Sequence, residues 1–264
     1  MKSLLSFVFL STFVLFSLGC ANTSKKASSE NIQEAYLHQD IAMGYLKADK
    51  YPAALEQLLI AKKLAPHDAN ITNNLAIAYQ FRGRSDIAIE TFKKALNLDP
   101  SLTDARSNLA QAYIEKKMYS EALEQLLIAR DDLTYQNPEK IHTNLGITYF
   151  HLSNFSKAND ELNLALKANR EFCQAKFYKL KTLFELKKFS DSSKMSDHNV
   201  YACPKEDLEQ TYYIGGMSYY LNGQLGQAED RLQNLVNKYP SSDYAEKAHL
   251  ALAAIKVKKN ERNR

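Results

Sequence analysis

Apolar residues recur along this chain in short helical runs that are broken at regular intervals. Between residues 69 and 100 the sequence reads ANITNNLAIAYQFRGRSDIAIETFKKALNLDP. Leu75, Ala76 and Tyr79 fall on one face of a first helix, and Ala88, Phe92, Ala95 and Leu96 on one face of a second. Gly83 separates the two runs. Pro100 ends the second, because proline has no amide hydrogen and its ring clashes with the preceding turn. Ala76 and Ala88 are small, so two helix backbones can approach there, and Tyr79 and Phe92 fill the space around that contact.

The pattern returns before and after this stretch, and Pro66 and Pro100 set a frame of 34 residues. A first copy, Ala35–Asp68, carries Ile41, Ala42, Tyr45, Ala54, Leu58 and Ala61, with Pro52 opening its second helix. A third, from Thr103, carries Leu109, Ala110, Tyr113, Ala122, Leu126 and Ala129. Two extra residues then sit between Leu133 and Pro138. A fourth, from Glu139, has Leu145, Gly146, Tyr149, Ala158, Leu162 and Ala165. A sixth, from Glu209, has Gly215, Gly216, Tyr219, Ala228, Leu232 and Pro240. Tyr51, Tyr119 and Phe155 recur where one helix turns into the next.

The fifth copy, near Cys173–Lys205, is degraded. It keeps Phe189 at the turn and Pro204 at the stop, but Lys179-Leu180 stands where other copies have Leu-Gly or Leu-Ala. Ser192 and Ser196 replace Ala and a large apolar residue. Its run DSSKMSDHNVYAC predicts a poor second helix, because Ser, Asp and Asn favour caps and turns. Residues 241–257 predict a thirteenth helix with Tyr244, Ala248, Leu252 and Ile255 on one face, and residues 258–264 a frayed basic tail.

The spacing and residue types resemble the tetratricopeptide repeat. The resemblance implies an all-α solenoid over residues 34–257: about six helical hairpins and a C-terminal capping helix, wound as a right-handed superhelix. Such a solenoid has no single core; each hairpin buries its apolar face against its neighbours, and the last one needs a cap. The concave side, lined by first helices, is the expected binding face.

The N-terminus changes where this solenoid is expected to work. Residues 1–19 pair Lys2 with an apolar run from Leu4 to Leu18, the length of a secretory h-region and short for a membrane span. Ser17-Leu18-Gly19-Cys20 resembles a bacterial lipobox, departing from it at Ser17, where leucine is usual. The resemblance implies cleavage and lipidation of Cys20 with palmitate-class chains; the alternative is a plain secretory signal with a chance cysteine. Ala21 after the cysteine implies outer-membrane sorting. Residues 20–33 are polar and Ser/Lys-rich and read as a flexible tether of about 20 Å. The repeat domain is expected to face the periplasm from a lipid anchor.

Composition excludes more than it proposes. A net charge of +4 gives no case for nucleic acid. There is no His-Glu-x-x-His, Gly-x-Ser-x-Gly or phosphate loop, and the six histidines show no ligand spacing. No catalytic residue, metal, cofactor or small-molecule substrate is expected. Cys173 and Cys203 fall at the first and thirty-first positions of repeat five, one end of an antiparallel hairpin, and an exported compartment permits a bridge. Two unrelated small core residues are the alternative.

Partner binding is expected on the first helices. Asn74, Asn108 and Asn144 share the sixth position of their repeats. Side-chain amides both donate and accept, so such a ladder can hold an extended peptide backbone. Equally, Asn at this position belongs to the repeat consensus and serves local structure. Met43, Ile77, Phe81, Ile114, Ile147 and Phe150 supply apolar neighbours.

Lipobox, polar tether and six repeats together resemble the type IV pilus biogenesis lipoproteins, the outer-membrane pilotins of the PilF/PilW/Tgl group. The irregular junction ARDDLTYQNPEKIHTNLG, residues 129–146, is similar to theirs, and the Cys173/Cys203 pair resembles the myxobacterial-type members. This resemblance implies an adaptor that binds secretin subunits and helps them reach, or multimerise in, the outer membrane. NKYPSSDYAEKAHLALA, residues 237–253, also resembles repeats of outer-membrane assembly lipoproteins and periplasmic cell-division coordinators. A scaffold with a different envelope client therefore stays open.

Overall fold

The structure, a computed structural model, describes residues 18–203 and 207–262, with side chains from residue 29 onward. Among the described residues the chain forms thirteen α-helices and no strand. They are α1 (Leu18–Lys47), α2 (Tyr51–Leu64), α3 (Ala69–Phe81), α4 (Ser85–Leu98), α5 (Thr103–Glu115), α6 (Tyr119–Arg130) and α7 (Pro138–His151). There follow α8 (Phe155–Ala168), α9 (Cys173–Glu185), α10 (Phe189–Ala202), α11 (Leu208–Leu221), α12 (Leu225–Lys238) and α13 (Asp243–Arg262). The chain divides into two units, Met1–Ala105 and Arg106–Arg264, the boundary falling within α5.

One turn geometry makes every hairpin. Asp49, Gly83, Lys117, Ser153, Lys187 and Gly223 all have positive φ, between 56° and 80°. Each follows the first helix of a hairpin. The next residue's amide then reaches back to a carbonyl five residues earlier: Lys50 to Tyr45, Arg84 to Tyr79, Met118 to Tyr113, Asn154 to Tyr149, Lys188 to Leu183 and Gln224 to Tyr219, all at 2.8–2.9 Å. This left-handed cap satisfies carbonyls that the helix end leaves without an intrahelical partner and reverses the chain. Only two of the six positions are glycine, so a search for glycine turns finds just those two.

Between the paired helices lies a repeated seam. Ala54, Leu58 and Ala61 of α2 are fully buried, as are Ala88, Phe92 and Ala95 of α4 and Ala158, Leu162 and Ala165 of α8. Full burial of each such leucine is worth about 1.5–3 kcal/mol. The small first-helix residue opposite makes room: a Cβ added to Gly146 would stand 2.5 Å from Leu162 Cγ. In the first unit Ala42, Leu46, Leu75 and Ala78 complete the seam with Ala54 and Leu58. In the second, Leu232, Leu235 and Tyr212 are closed over by Ala248 and Ile255 of α13, which covers the last hairpin as a cap should.

A polar rung accompanies the seam in three hairpins, always nineteen residues apart. His38 Nδ1 meets Gln57 Oε1 at 2.6 Å, Arg106 donates to Gln125 at 3.0 Å, and His142 Nδ1 meets Glu161 Oε2 at 2.7 Å. These bonds join first to second helix at the edge of the core, where each group keeps a partner as it leaves water.

Three segments differ from the sequence-based expectation. Residues 20–33, expected as a coiled tether, have helical backbone within α1. No Gly or Pro interrupts residues 20–43, and Ala, Lys, Glu and Gln are good helix formers. Residues 29–34 are exposed and burial begins at Ala35. The second helix of repeat five is intact as α10, because its serines find partners inside the packing. The basic tail is helical to Arg262. There Lys259 pairs with Glu229, and Lys258 Nζ lies 4.9 Å from the centroid of the Tyr220 ring. The signal segment to residue 17, the side chain of Cys20, Pro204, and residues 263–264 lie outside the described residues. Among the described residues no helix is long and apolar enough to cross a membrane.

Candidate functional site

The nominated first-helix residues separate by burial. In the first unit Met43, Asn74 and Ile77 are half-buried, while Phe81, the last residue of α3, is 53% exposed. Its ring lies on Tyr51, the first residue of α2, with centroids 5.0 Å apart and planes within 3°. In the second unit Asn108 and Ile114 are half-buried on α5. Asn144 and Ile147 are different: both are buried, at 7% and 2% exposure. The expectation that these two line an open face is corrected. Helix α7 touches α6, α8 and α9, and its residues from Thr143 to Tyr149 are all buried.

Phe150 stays half-buried and is the hub of an aromatic cluster. Its ring meets Phe155, His151 and Tyr178 edge-on, at centroid distances of 5.5, 5.5 and 5.8 Å. His151 stacks on Tyr119 at 4.7 Å with planes 5° apart, the same kind of inter-hairpin stack that Phe81 makes on Tyr51. The Lys181 ammonium sits over three rings at once, 5.1 Å from Phe150, 5.2 Å from Phe177 and 4.9 Å from Tyr178. The ring faces carry negative charge density and attract the cation, and the Asp207 and Glu185 carboxylates act on it as well. Burial pushes the Lys181 pKa down. Burial, then the charges of Lys181 and Lys117, push that of His151 down as well. The result is an apolar, aromatic and cationic surface built by α7 and α9, suited to a protein segment.

Repeat five, which supplies α9 to this surface, is tied at its other end. Cys173 opens α9 and Cys203 caps α10; the two are joined as a disulfide, with Cα atoms 5.5 Å apart. Lys176 is 3% exposed, and its Nζ is 2.6 Å from Glu171 Oε2. That ammonium holds the Glu171 carboxyl below its ordinary range.

Tyr178, Lys181, His151 and Tyr119 were not nominated from sequence. A signal existed for Lys181: it takes the register position that Ile77 and Ile147 hold in other repeats, and a charge at an apolar register asks for a special environment. Among the described residues no group of His, Cys, Asp and Glu is arranged to hold a metal ion.

Comparison with known proteins agrees with this architecture. Two models described as tetratricopeptide repeat match residues 82–136 and 210–242. The type IV pilus assembly protein PilF of Pseudomonas aeruginosa is 26% identical over 141 residues, 53% of this chain and 55% of that protein, so the match spans about half its length. A solved structure of Pseudomonas aeruginosa PilF superposes with a TM-score of 0.73 at 20% identity, covering 87% of this chain and 99% of that one. The crystal structure of PilW, described as a widely conserved type IV pilus biogenesis factor, does so with a TM-score of 0.73 at 20% identity, covering 81% and 97%. These two likenesses speak to the fold. The chain is a tetratricopeptide-repeat protein related to the type IV pilus assembly protein PilF.

Proposed function

We propose that the chain is an outer-membrane lipoprotein adaptor of type IV pilus biogenesis, a pilotin. It binds secretin subunits and promotes their outer-membrane localisation or multimerisation, anchored through lipid on Cys20 and facing the periplasm. The observation that carries this reading is the 141-residue relation to PilF. The apolar run that closes at Cys20 supports the anchor. Aromatic side chains left partly open on first helices support the adaptor role: Phe81 in the first unit, and Phe150 and Tyr178 in the second. Asn74, Met43 and Ile77 in the first unit, and Asn108 and Ile114 in the second, are half-buried on first helices and belong to the proposed contact surface of their own unit; Asn144 and Ile147 are buried and do not.

Contacts of this kind concentrate their energy in a few aromatic anchors, at about 2 kcal/mol or more each. The test is heat-resistant secretin multimers in the outer membrane of a deletion strain complemented with Phe81→Ala, Phe150→Ala or charge changes on second helices. The aromatic changes should lower multimers and the charge changes should not, with circular dichroism showing all variants folded. Normal multimers in the uncomplemented deletion strain would reject the pilotin reading in favour of a scaffold with another envelope client.

A further inference from the structure

A second polar feature lies between α8, α9 and α10, apart from the aromatic cluster. Lys179 occupies a register position that is leucine in three other repeats (Leu75, Leu109 and Leu145), and it is 7% exposed. Its ammonium donates to Asn163 Oδ1 at 2.6 Å, to the Asn159 carbonyl at 3.4 Å, and to Asn159 Oδ1. An ammonium has three protons and no lone pair, so it fixes the amides: both carbonyl ends face Lys179 and both NH2 ends face away, that of Asn159 donating to Asp160 Oδ1 at 3.4 Å. Asn163 is exposed, so its NH2 is open to solvent. The three groups form the floor of an open cleft of about 480 Å³, with Lys188 and Lys194 at its rim and Leu183 and Met195 on its walls.

The charges in this cleft do not cancel. Among the described residues no carboxylate lies within ion-pair distance of Lys179, Lys188 or Lys194. Among the described residues Asp191 is the one acid lining the cleft, with Asp160 also acting on Lys179 from beside it, against three lysines. Burial lowers the Lys179 pKa to about 8, so most of its charge remains at pH 7. Apart from Asp191 and His198, the polar side chains lining the cleft present amide NH2 and ammonium donors, so donors outnumber acceptors there and the lysines give it positive potential. An anionic acceptor is its complement. The apolar walls favour an anion carried on a side chain with neighbours over a bare inorganic ion.

We propose that this cleft binds a carboxylate-bearing, acidic segment of a protein partner, with Lys188 and Lys194 pairing its acids and Asn163, set by Lys179, donating to them. This site does not depend on the identity of the client proposed above, since it uses other residues on other faces of the repeats.

The test is fluorescence anisotropy of a fluorescein-labelled peptide, Leu-Glu-Asp-Leu-Glu-Glu, beside its Gln/Asn analogue. The acidic peptide should bind at about 50 mM salt and weaken steeply by about 500 mM, as screening requires, and the amide analogue should not bind. Lys188→Glu with Lys194→Glu, both exposed and remote from the core, should weaken binding at least tenfold. Lys63→Glu with Lys94→Glu, exposed lysines of the first unit, should leave it unchanged. Lys179→Met should weaken it about threefold with circular dichroism unchanged; if that variant does not fold, the surface pair decides alone. Equal binding of the two peptides, or indifference to the Lys188/Lys194 reversal, would overturn the proposal. So would co-sedimentation with phosphatidylglycerol vesicles that needs these lysines while the peptide does not bind.

Discussion

Repeats four and five solve one packing problem with opposite chemistry. In repeat four the first helix contributes Gly146 and the second Leu162, and the glycine lets the leucine fill the gap. In repeat five the same register holds Leu180 on the first helix and Ser196 on the second, both fully buried, so large and small have changed sides. The small serine then lets α11 come close: a Cβ on Gly215 would collide with the Ser196 hydroxyl. Repeat four is apolar along the second-helix seam, with Ala158, Leu162 and Ala165; repeat five has Ser192, Ser196 and Asn199, all buried. Each buried hydroxyl there has a partner and so does the Asn199 NH2, while Asn199 Oδ1 has none among the described residues. Ser196 Oγ donates to the Thr211 carbonyl at 2.9 Å, Asn199 Nδ2 to the Lys176 carbonyl at 3.1 Å, and Ser218 Oγ to Ser192 Oγ at 2.8 Å. What these bonds do not supply in apolar burial, the Cys173–Cys203 link supplies by constraining the unfolded chain. The lesson is that a repeat can lose its consensus residues and keep its geometry, provided volume is exchanged across the seam and every buried hydroxyl is bonded.

The comparison can be broken first at its apolar member. Leu162→Ala opens a cavity against Gly146, where no side chain can move in, and should cost about 3–5 kcal/mol in urea denaturation. A loss under about 1 kcal/mol would mean the seam in repeat four is loosely packed. Next is the link in repeat five. Cys173→Ser with Cys203→Ser should cost about 2–4 kcal/mol, and reductant should reproduce that loss in the parent protein while leaving the variant unchanged. Identical parent midpoints with and without reductant would show that the bridge contributes nothing.

Ser196→Leu, which restores the consensus residue, should destabilise by about 1–3 kcal/mol, because it overpacks both Leu180 and Gly215. A stabilised variant would refute the exchange of volumes. A smaller gain is expected at the turns: Lys187→Gly should raise stability by about 0.5–1 kcal/mol, since glycine adopts positive φ without the Cβ conflict that lysine meets there. The smallest effect is a pH dependence at His151. Its folded pKa lies below the ordinary value, so the unfolded state takes up the proton more readily, and stability falls as pH drops through the ordinary histidine range. His151→Phe should flatten the thermal midpoint between about pH 7.5 and pH 5 relative to the parent, keeping the stack on Tyr119.

Much of the fold was legible because each repeat states it again. The second-helix alanines and leucines recur at fixed spacing and are buried, and Pro52 and Pro138 open α2 and α7. The left-handed turns were legible only at Gly83 and Gly223, because Asp49, Lys117, Ser153 and Lys187 tolerate the same φ under the pull of the capping bonds. Propensity alone does not predict α10, because the partners of its Ser and Asn lie in α9 and α11, outside the segment. The candidate surface was half-visible. Phe81 and Phe150 stand out in sequence, but the burial of Asn144 and Ile147 depends on how three neighbouring helices close over α7. The Lys181 cage needs ring orientations that no spacing encodes.

The six capped turns have a practical consequence for anyone wishing to alter this chain. Because each turn is held to the same length by a backbone bond, facing positions within a hairpin stay sixteen residues apart, as Gly146 and Leu162 and then Leu180 and Ser196 do. Length variation is confined to the loops between hairpins. The loop after α6 contains Leu133, 96% exposed, beside Asp132, whose carboxylate accepts the Thr134 amide in a local turn. An epitope tag or a fluorophore belongs in that loop, where added residues shift no partner out of phase. The same insertion at Lys117 or Lys187 would rotate an entire helix against its mate.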